Sequence, residues 1–60
     1  MKKIIVVWTD DDDSEYEYAF DIRYEGKWMI FSTDEDEIIH EYRLNTDHIY
    51  EIEIVDQEGI

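Results

Sequence analysis

The sequence predicts a mainly β fold, a small antiparallel sheet or barrel of four to five strands in a single domain, residues 1–60. Two segments, Glu15 to Tyr24 and His48 to Val55, alternate apolar with acidic residues, as strands with one buried face do. Hydrophobic residues make up 43% of the chain and aromatic residues 15%, which is enough to build a core despite the high charge.

The first predicted strand covers residues 2–9, where a β-branched run is apolar on both faces, as in the interior strand of a sheet. Its apolar stretch, Ile4 to Trp8, is shorter than the hydrophobic core of a signal peptide, and aspartates follow where small residues would mark cleavage. We therefore expect an unprocessed cytoplasmic protein that does not interact with membranes.

The second predicted strand covers residues 15–24 and carries the clearest alternation in the chain. One face presents large apolar side chains, those of Tyr16, Tyr18, Phe20, Ile22 and Tyr24. The opposite face presents mainly charged side chains, those of Glu15, Glu17, Asp21 and Arg23. The sequence therefore predicts that one face of this strand is buried along its whole length.

A hairpin turn at Glu25–Gly26 is expected to lead into the third strand, residues 27–33. A two-residue loop would pair Tyr24 with Lys27, whereas a three-residue loop with a glycine bulge would pair Arg23 with Lys27. We favour the longer loop because it brings the largest apolar side chains of the two strands to one face. A slip of one residue would reverse the faces.

Residues 34–44 fit two structures. As a strand over residues 37–44 they alternate, and the polar segment Asn45 to Asp47 then closes a hairpin to a last strand over residues 48–55. As a helix at about 34–44 they would give a β-β-β-α-β arrangement, with acids at the positive end of the helix dipole. We favour the strand because the apolar stripe of the helix would be narrow, comprising only Ile38, Ile39 and Tyr42.

In either arrangement, several apolar side chains fall on the second face of the sheet. They are those of Ile5, Val7, Met29, Phe31, Ile39 and Val55. A solvated sheet face rarely carries so many. A helix or a second copy of the chain would cover them, which makes homodimerisation one expected mode of association.

No residue pattern indicates an enzyme or a cofactor. The chain has no Cys and no glycine-rich phosphate loop, and a domain of this size has little interior in which to raise the pKa of a catalytic carboxyl group. His40 and His48 have no third ligand at a recognisable spacing, so we expect structural or surface histidines and no metal site. A loop starting at Asp10 also fails as an EF-hand, because Glu15 replaces the glycine at its sixth position.

The net charge is the dominant feature of the chain, because 18 Asp and Glu residues against 5 Lys and Arg residues leave it at −13. Such a surface repels nucleic acid and anionic membranes, so a basic protein surface is the expected partner. Solubility alone requires a net charge of only about 2 to 8 for a small domain. The excess charge therefore indicates a binding function.

The acids are grouped and not scattered. Fourteen of the eighteen fall into three groups: Asp10 to Asp13 with Glu15 and Glu17, Asp34 to Glu37, and Glu51, Glu53, Asp56 and Glu58. Alternate carboxylates on a strand lie on one face roughly 6.5 to 7 Å apart, a spacing of the same order as that of phosphates along a nucleic-acid strand. The sequence therefore predicts a partner-binding surface made of Asp10, Asp11, Asp12, Asp13, Glu15, Glu17, Asp34, Glu35, Asp36, Glu37, Glu51 and Glu53.

We expect this surface to occupy the basic DNA-binding site of a nucleic-acid-binding protein, with the counterion release and steering that favour DNA itself. The alternative is an acidic antitoxin-like or other protein-binding module that uses an apolar sheet face, where Met29 and Phe31 would matter most. A third interpretation is that the acids only keep a small β protein soluble and protect its edge strands.

The segment DEDEIIHEYRL, Asp34 to Leu44, is similar to an acidic and then alternating segment in one type of uracil-DNA glycosylase inhibitor. With its small size, acidity and lack of Cys, the chain resembles the phage-encoded proteins that mimic DNA and inhibit DNA repair, restriction or CRISPR nucleases. By this resemblance, Glu35, Asp36 and Glu37 would imitate the DNA backbone, while an apolar pocket would hold a side chain of the enzyme. The resemblance also implies action in the cytoplasm of a host cell.

Overall fold

The structure is a computed structural model that describes residues 1–57, and these form one five-stranded antiparallel sheet. Its strands are β1 (Lys2–Trp8), β2 (Asp13–Glu25), β3 (Trp28–Glu35), β4 (Ile38–Asn45) and β5 (Ile49–Asp56). They lie in the order β4-β3-β2-β1-β5. The mainly β prediction is confirmed, and the helical alternative at about 34–44 is wrong because β4 occupies most of that segment. Glu58, which belongs to the third acidic group, lies outside the described residues.

β4 and β5 are joined by a short 3₁₀ turn, Thr46–His48, and not by the predicted hairpin. The two strands lie at opposite edges of the sheet, because β5 pairs with β1. In a flat sheet those edges would be about 19 Å apart, whereas the turn spans at most roughly 14 Å between the strand ends. The sheet therefore curls. The turn closes one end through hydrogen bonds from Thr46 N to Lys27 O at 2.8 Å and from Thr9 N to His48 O at 2.9 Å.

The long strand β2 does not keep the strict alternation that the sequence predicted. It contains two bulges, one after Tyr16 where it pairs with β1 and one after Phe20 where it pairs with β3. Tyr18 and Asp21, within these bulges, have positive φ angles of 56° and 54°. Each bulge adds one unpaired residue and so exchanges the two faces of the strand.

The bulges redistribute the aromatic side chains of β2 between the two faces of the sheet. Tyr16 and Ile22 pack against the core. Tyr18 is exposed and Phe20 lies on the outer face beside Ser32 of β3, whereas Tyr24, opposite the core residue Met29, is exposed next to the β2–β3 hairpin turn. The prediction of one buried face along the whole strand is therefore wrong, because extra residues break the period of two.

The β2–β3 hairpin turns at Gly26 and Lys27, with Glu25 paired to Trp28. Both predicted registers are wrong, because each of them placed Lys27 in the third strand. Gly26 takes a positive φ of 61° at the first loop position, as a type II′ hairpin turn requires. The backbone freedom of glycine thus sets the register of this hairpin.

The core lies on the inner face of the curled sheet. Its buried members are Ile4, Val6, Ala19, Met29, Phe31 and Leu44. Tyr16, Phe31 and Tyr42 form an aromatic cluster with ring centroids 4.9 to 5.4 Å apart. Met29 and Phe31 therefore belong to the core, and their predicted place on the second face is wrong. No helix within residues 1–57 is long and apolar enough to cross a membrane.

Candidate functional site

Two rows of carboxylates lie on the outer face of the sheet, on either side of β1. Ile4 and Val6 of β1 are fully buried on the inner face, so Ile5 and Val7 point outward and are half-buried. Residues directly opposite each other in an antiparallel pair share a face. The register therefore places one row on β2, made of Asp13, Glu15 and Glu17. It places the other row on β5, made of Glu51 and Glu53.

We call these five carboxylates, together with the strip of Ile5 and Val7, the acidic face. Val7 lies between Asp13 and Glu51, and Ile5 lies between Glu15 and Glu53. Along a row the carboxylates are roughly 6.5 to 7 Å apart, and the two rows are separated by two strand spacings, about 9.5 Å. The first and third predicted groups are thus brought together, although 34 or more residues separate them in sequence.

The aspartate run forms the β1–β2 turn at one end of the acidic face. Asp10 accepts a hydrogen bond from the backbone N–H of Asp12 at 3.2 Å, and Trp8 N donates to Asp12 O at 2.8 Å. Asp11 has a positive φ of 71°, a conformation that Asp tolerates better than most residues. The run therefore makes a tight turn without glycine and leaves its side chains exposed.

A cleft with a volume of about 390 Å³ joins the second predicted group to the acidic face. It lies between β2 at its first bulge and the β3–β4 turn, and its lining residues are Glu15, Glu17, Tyr18, Asp34, Glu35 and Asp36. Asp36 and Glu37 form the turn itself, both with positive φ. We call this feature the acidic cleft. Glu37 is exposed on the turn and does not line the cleft.

The predicted binding carboxylates are almost uncompensated. Among residues 1–57, only Glu15 of the twelve forms an ion pair, with Lys3 Nζ at 3.0 Å from its Oε1. The hydrogen bond and charge of Glu15 raise the pKa of Lys3 above its usual 10.5, and Glu17 adds to the effect. Lys3 is therefore charged at neutral pH and offsets only one carboxylate of the acidic face.

Three of the five cations lie on the other half of the sheet. Arg23 forms ion pairs with Asp21 at 2.9 Å and Glu25 at 3.2 Å. Lys27 and Arg43 lie near the ring of Trp28, at 6.0 and 5.8 Å from its centroid. These three cations thus lie away from the acidic face and do little to reduce its negative potential.

The site offers little to catalysis or to a metal ion. Within residues 1–57, no group of three or more His, Cys, Asp or Glu side chains is arranged to hold a metal. His40 and His48 are both exposed and belong to different elements. A general acid or base needs a dry environment to tune its pKa, whereas the carboxylates around the cleft are exposed or only half-buried.

The apolar surface that the antitoxin-like alternative requires is not where the sequence placed it. Met29 and Phe31 are both 0% exposed, so neither side chain can contact a partner. Other apolar residues are exposed instead: Ile38 and Ile39 on the edge strand β4 and Tyr50 on the edge strand β5, besides Tyr18 and Tyr24 of β2.

Sequence reasoning did not assign four residues in or beside the acidic face and the acidic cleft to the binding surface, namely Lys3, Ile5, Val7 and Tyr18. It placed Ile5 and Val7 on the second face of the sheet, but only the register shows that acidic rows lie on both sides of them. Tyr18 reaches the cleft because of the bulge, which the regular alternation of β2 concealed.

Comparisons of the chain with protein-family models, with curated proteins and with solved structures gave no match. The geometry and charge of the surface are therefore the basis on which its function is inferred.

Proposed function

We propose that the protein inhibits a nucleic-acid-binding protein of DNA repair, restriction or CRISPR defence by occupying its basic DNA-binding site. The observation that carries this proposal is the double row of carboxylates on the acidic face, at a spacing close to that of phosphates and almost without ion-pair partners. A surface of this kind is steered to a groove lined by Lys and Arg, as DNA is.

The apolar strip between the rows supports the same function. Charged contacts across an interface mainly raise the association rate and the specificity, whereas the desolvated centre of an interface supplies much of the affinity. Ile5 and Val7 lie between the two rows, where contact with a partner would remove them from water. The acidic face therefore combines a charged rim with an apolar centre.

The acidic cleft extends this surface towards the β3–β4 turn. Five carboxylates and the ring of Tyr18 line it, so it offers a basic side chain of the partner both opposite charge and an aromatic contact. Glu35 and Asp36, which the resemblance to DNA-mimic inhibitors singled out, both lie here.

The decisive experiment is competition with DNA. The tagged protein first captures partners from host-cell lysate, and labelled duplex DNA is then bound to each purified partner and challenged with the protein. We expect displacement of the DNA, with affinity falling steeply between about 50 and 200 mM salt. Failure to displace DNA from any captured partner would overturn the proposal.

Two variants of equal net charge separate surface mimicry from bulk charge. The first removes four charges from the acidic face and keeps the Lys3–Glu15 pair; its changes are Asp13→Asn, Glu17→Gln, Glu51→Gln and Glu53→Gln. The control removes four charges elsewhere, through Asp21→Asn, Glu25→Gln, Glu41→Gln and Asp47→Asn. We expect the concentration that displaces half of the DNA to rise at least about tenfold more for the first variant than for the control, because the control changes charges that lie away from the contact. Equal losses would mean that the acidic face has no special role.

A further inference from the structure

We propose that β4 is a self-pairing edge, through which two copies of the chain form a dimer by antiparallel β4–β4 pairing centred on His40. This inference concerns the opposite half of the sheet and does not depend on the proposed function. β4 lies at the edge of the sheet and, among residues 1–57, pairs only with β3. An edge strand presents a row of unpaired backbone groups that can template a second strand.

The exposed half of β4 carries two large aliphatic side chains. Ile38 and Ile39 are 59% and 57% exposed, and they point to opposite faces of the sheet. Natural edge strands are often protected by charged side chains, Pro or a bulge. Between residues 38 and 42, β4 carries one charged residue, Glu41, and no Pro, and its pairing with β3 is regular throughout.

Charge selects the register of the pairing. With His40 on the two-fold axis, Arg43 comes alongside the partner's Glu37, the last residue of its β3–β4 turn, and this contact forms twice. Ile38 then lies opposite the partner's Tyr42 on the inner face, so an apolar contact accompanies each ion pair. Arg43 lies near the ring of Trp28 but forms no ion pair with any residue from 1 to 57, so no carboxylate of its own chain neutralises its charge.

The neighbouring registers are less favourable. Centring the pair on Glu41 would place the Glu41 side chains of the two copies directly opposite each other, and centring it on Ile39 would bring Glu41 alongside the partner's Glu37; both arrangements bring like charges together, which is destabilising. Centring it on Tyr42 would pair Glu41 with Arg43 but would leave Ile38 uncovered. It would also bring the partner strand alongside Leu44 and Asn45, where the chain enters the 3₁₀ turn.

Self-pairing is unfavourable at the other edge of the sheet, which is β5. Self-pairing of β5 about its centre would place Glu51 and Glu53 opposite themselves or each other. The two edges therefore differ, and charge protects β5 while it favours pairing of β4. The occupant of the β4 edge is accordingly a second copy of the chain.

Sedimentation equilibrium of the full chain at about 0.15 M salt, where repulsion between the two acidic molecules is largely screened, tests the dimer. We expect a concentration-dependent dimer for the wild type. Arg43→Glu should raise its dissociation constant at least about tenfold, because it places like charges opposite each other twice. Lys27→Glu makes the same charge change beside Trp28 but off β4, and it should leave the dimer intact. A wild type that is monomeric up to millimolar concentration, or equal losses in both variants, would overturn the proposal.

The register is tested by charge exchange and by cross-linking. The double variant Glu37→Arg with Arg43→Glu should recover the dimer, whereas recovery by Glu41→Arg with Arg43→Glu would overturn the register centred on His40. The chain has no Cys, so His40→Cys introduces a unique thiol on the proposed axis, where opposite Cβ atoms approach to about 5 Å. We expect it to form a disulfide-linked dimer on mild oxidation, and Tyr50→Cys, also at an exposed position but on β5, to remain unlinked. The reverse result would also overturn the proposal.

Discussion

The ammonium group of Lys3 lies 3.0 Å from Oε1 of Glu15, at the end of the acidic face where β1 pairs Lys3 with Val55 of β5. Among residues 1–57, it is the one cation that forms an ion pair with a carboxylate of this face. Lys3 ties β1 to β2 across the outer face, and it also limits how negative this face can become. Lys3 therefore stabilises the fold, but its positive charge weakens the attraction of the acidic face for a basic partner.

Replacement of Lys3 by Met tests this relationship. We expect Lys3→Met to destabilise the fold at pH 7, because the pKa of Lys3 is raised by Glu15 and the charged form is the one that stabilises the folded state. This stabilisation is present below the ordinary pKa of 10.5 and is lost as the pH rises through the higher pKa of the folded state. Urea denaturation of both proteins between pH 7 and strongly alkaline pH should show the difference shrinking above pH 10.5. A difference that does not change with pH would contradict the assignment.

The same variant should strengthen binding to a basic partner, because the acidic face gains one net negative charge. The association rate should rise and should become more sensitive to salt. Stopped-flow measurement with a partner identified by DNA competition provides the check. Lys27→Met serves as the matched control, since it removes a cation from the other half of the sheet.

Added salt should raise the melting temperature of the protein. The carboxylates of the acidic face repel one another across the rows, and salt screens this repulsion. Thermal unfolding followed by circular dichroism in NaCl up to about 0.5 M should show a continuous rise. The double variant Glu51→Gln with Glu53→Gln, which removes one row, should melt higher at low salt and respond less to added salt. A flat wild-type response would mean that the repulsion is already compensated.

The fold should be less stable with the buried hydroxyl group of Thr33 than with an apolar side chain at the same position. Thr33 is 0% exposed, and its Oγ1 has no hydrogen-bond partner among residues 1–57. Thr33→Val replaces the hydroxyl with a methyl group of similar shape, and we expect it to stabilise the fold by about 1 kcal/mol. Thr33→Ser keeps the hydroxyl and removes a methyl group, so it should destabilise by roughly 1 kcal/mol. Urea denaturation measures both, and a destabilising Thr33→Val would show that the hydroxyl is satisfied.

Substitutions in the aspartate turn can separate the contribution of its backbone conformation from the contribution of its charge. Asp11→Asn keeps a side chain that tolerates positive φ and should leave stability nearly unchanged, whereas Asp11→Ala should cost about 1 kcal/mol. Changing Asp10 to Asp13 all to Asn should therefore preserve the fold and remove four charges. If this variant displaced DNA from the partner as well as the wild type does, the aspartates would serve only as a turn.

Much of the secondary structure could be predicted because alternation of apolar and acidic residues reports the buried face directly. β5 and the outer limits of β2 follow from this pattern. The pairing of β5 with β1 could not be predicted, because a short polar connection after β4 usually indicates a hairpin. The bulge at Tyr18 was hidden for a related reason, since one extra residue leaves the sequence pattern intact while it reverses the faces of the strand.

By itself, the sequence determined that the chain is a small β protein, that its surface is strongly acidic, and that its acids are grouped. These properties depend on composition and local periodicity. The tertiary structure decided which acids share a surface, because register alone places the row of Asp13, Glu15 and Glu17 beside that of Glu51 and Glu53. It also decided that Met29 and Phe31 are core and that Ile38 is exposed. The physical reason is that side chains alternate with a period of two, so pairing and bulges set the face on which each one lies.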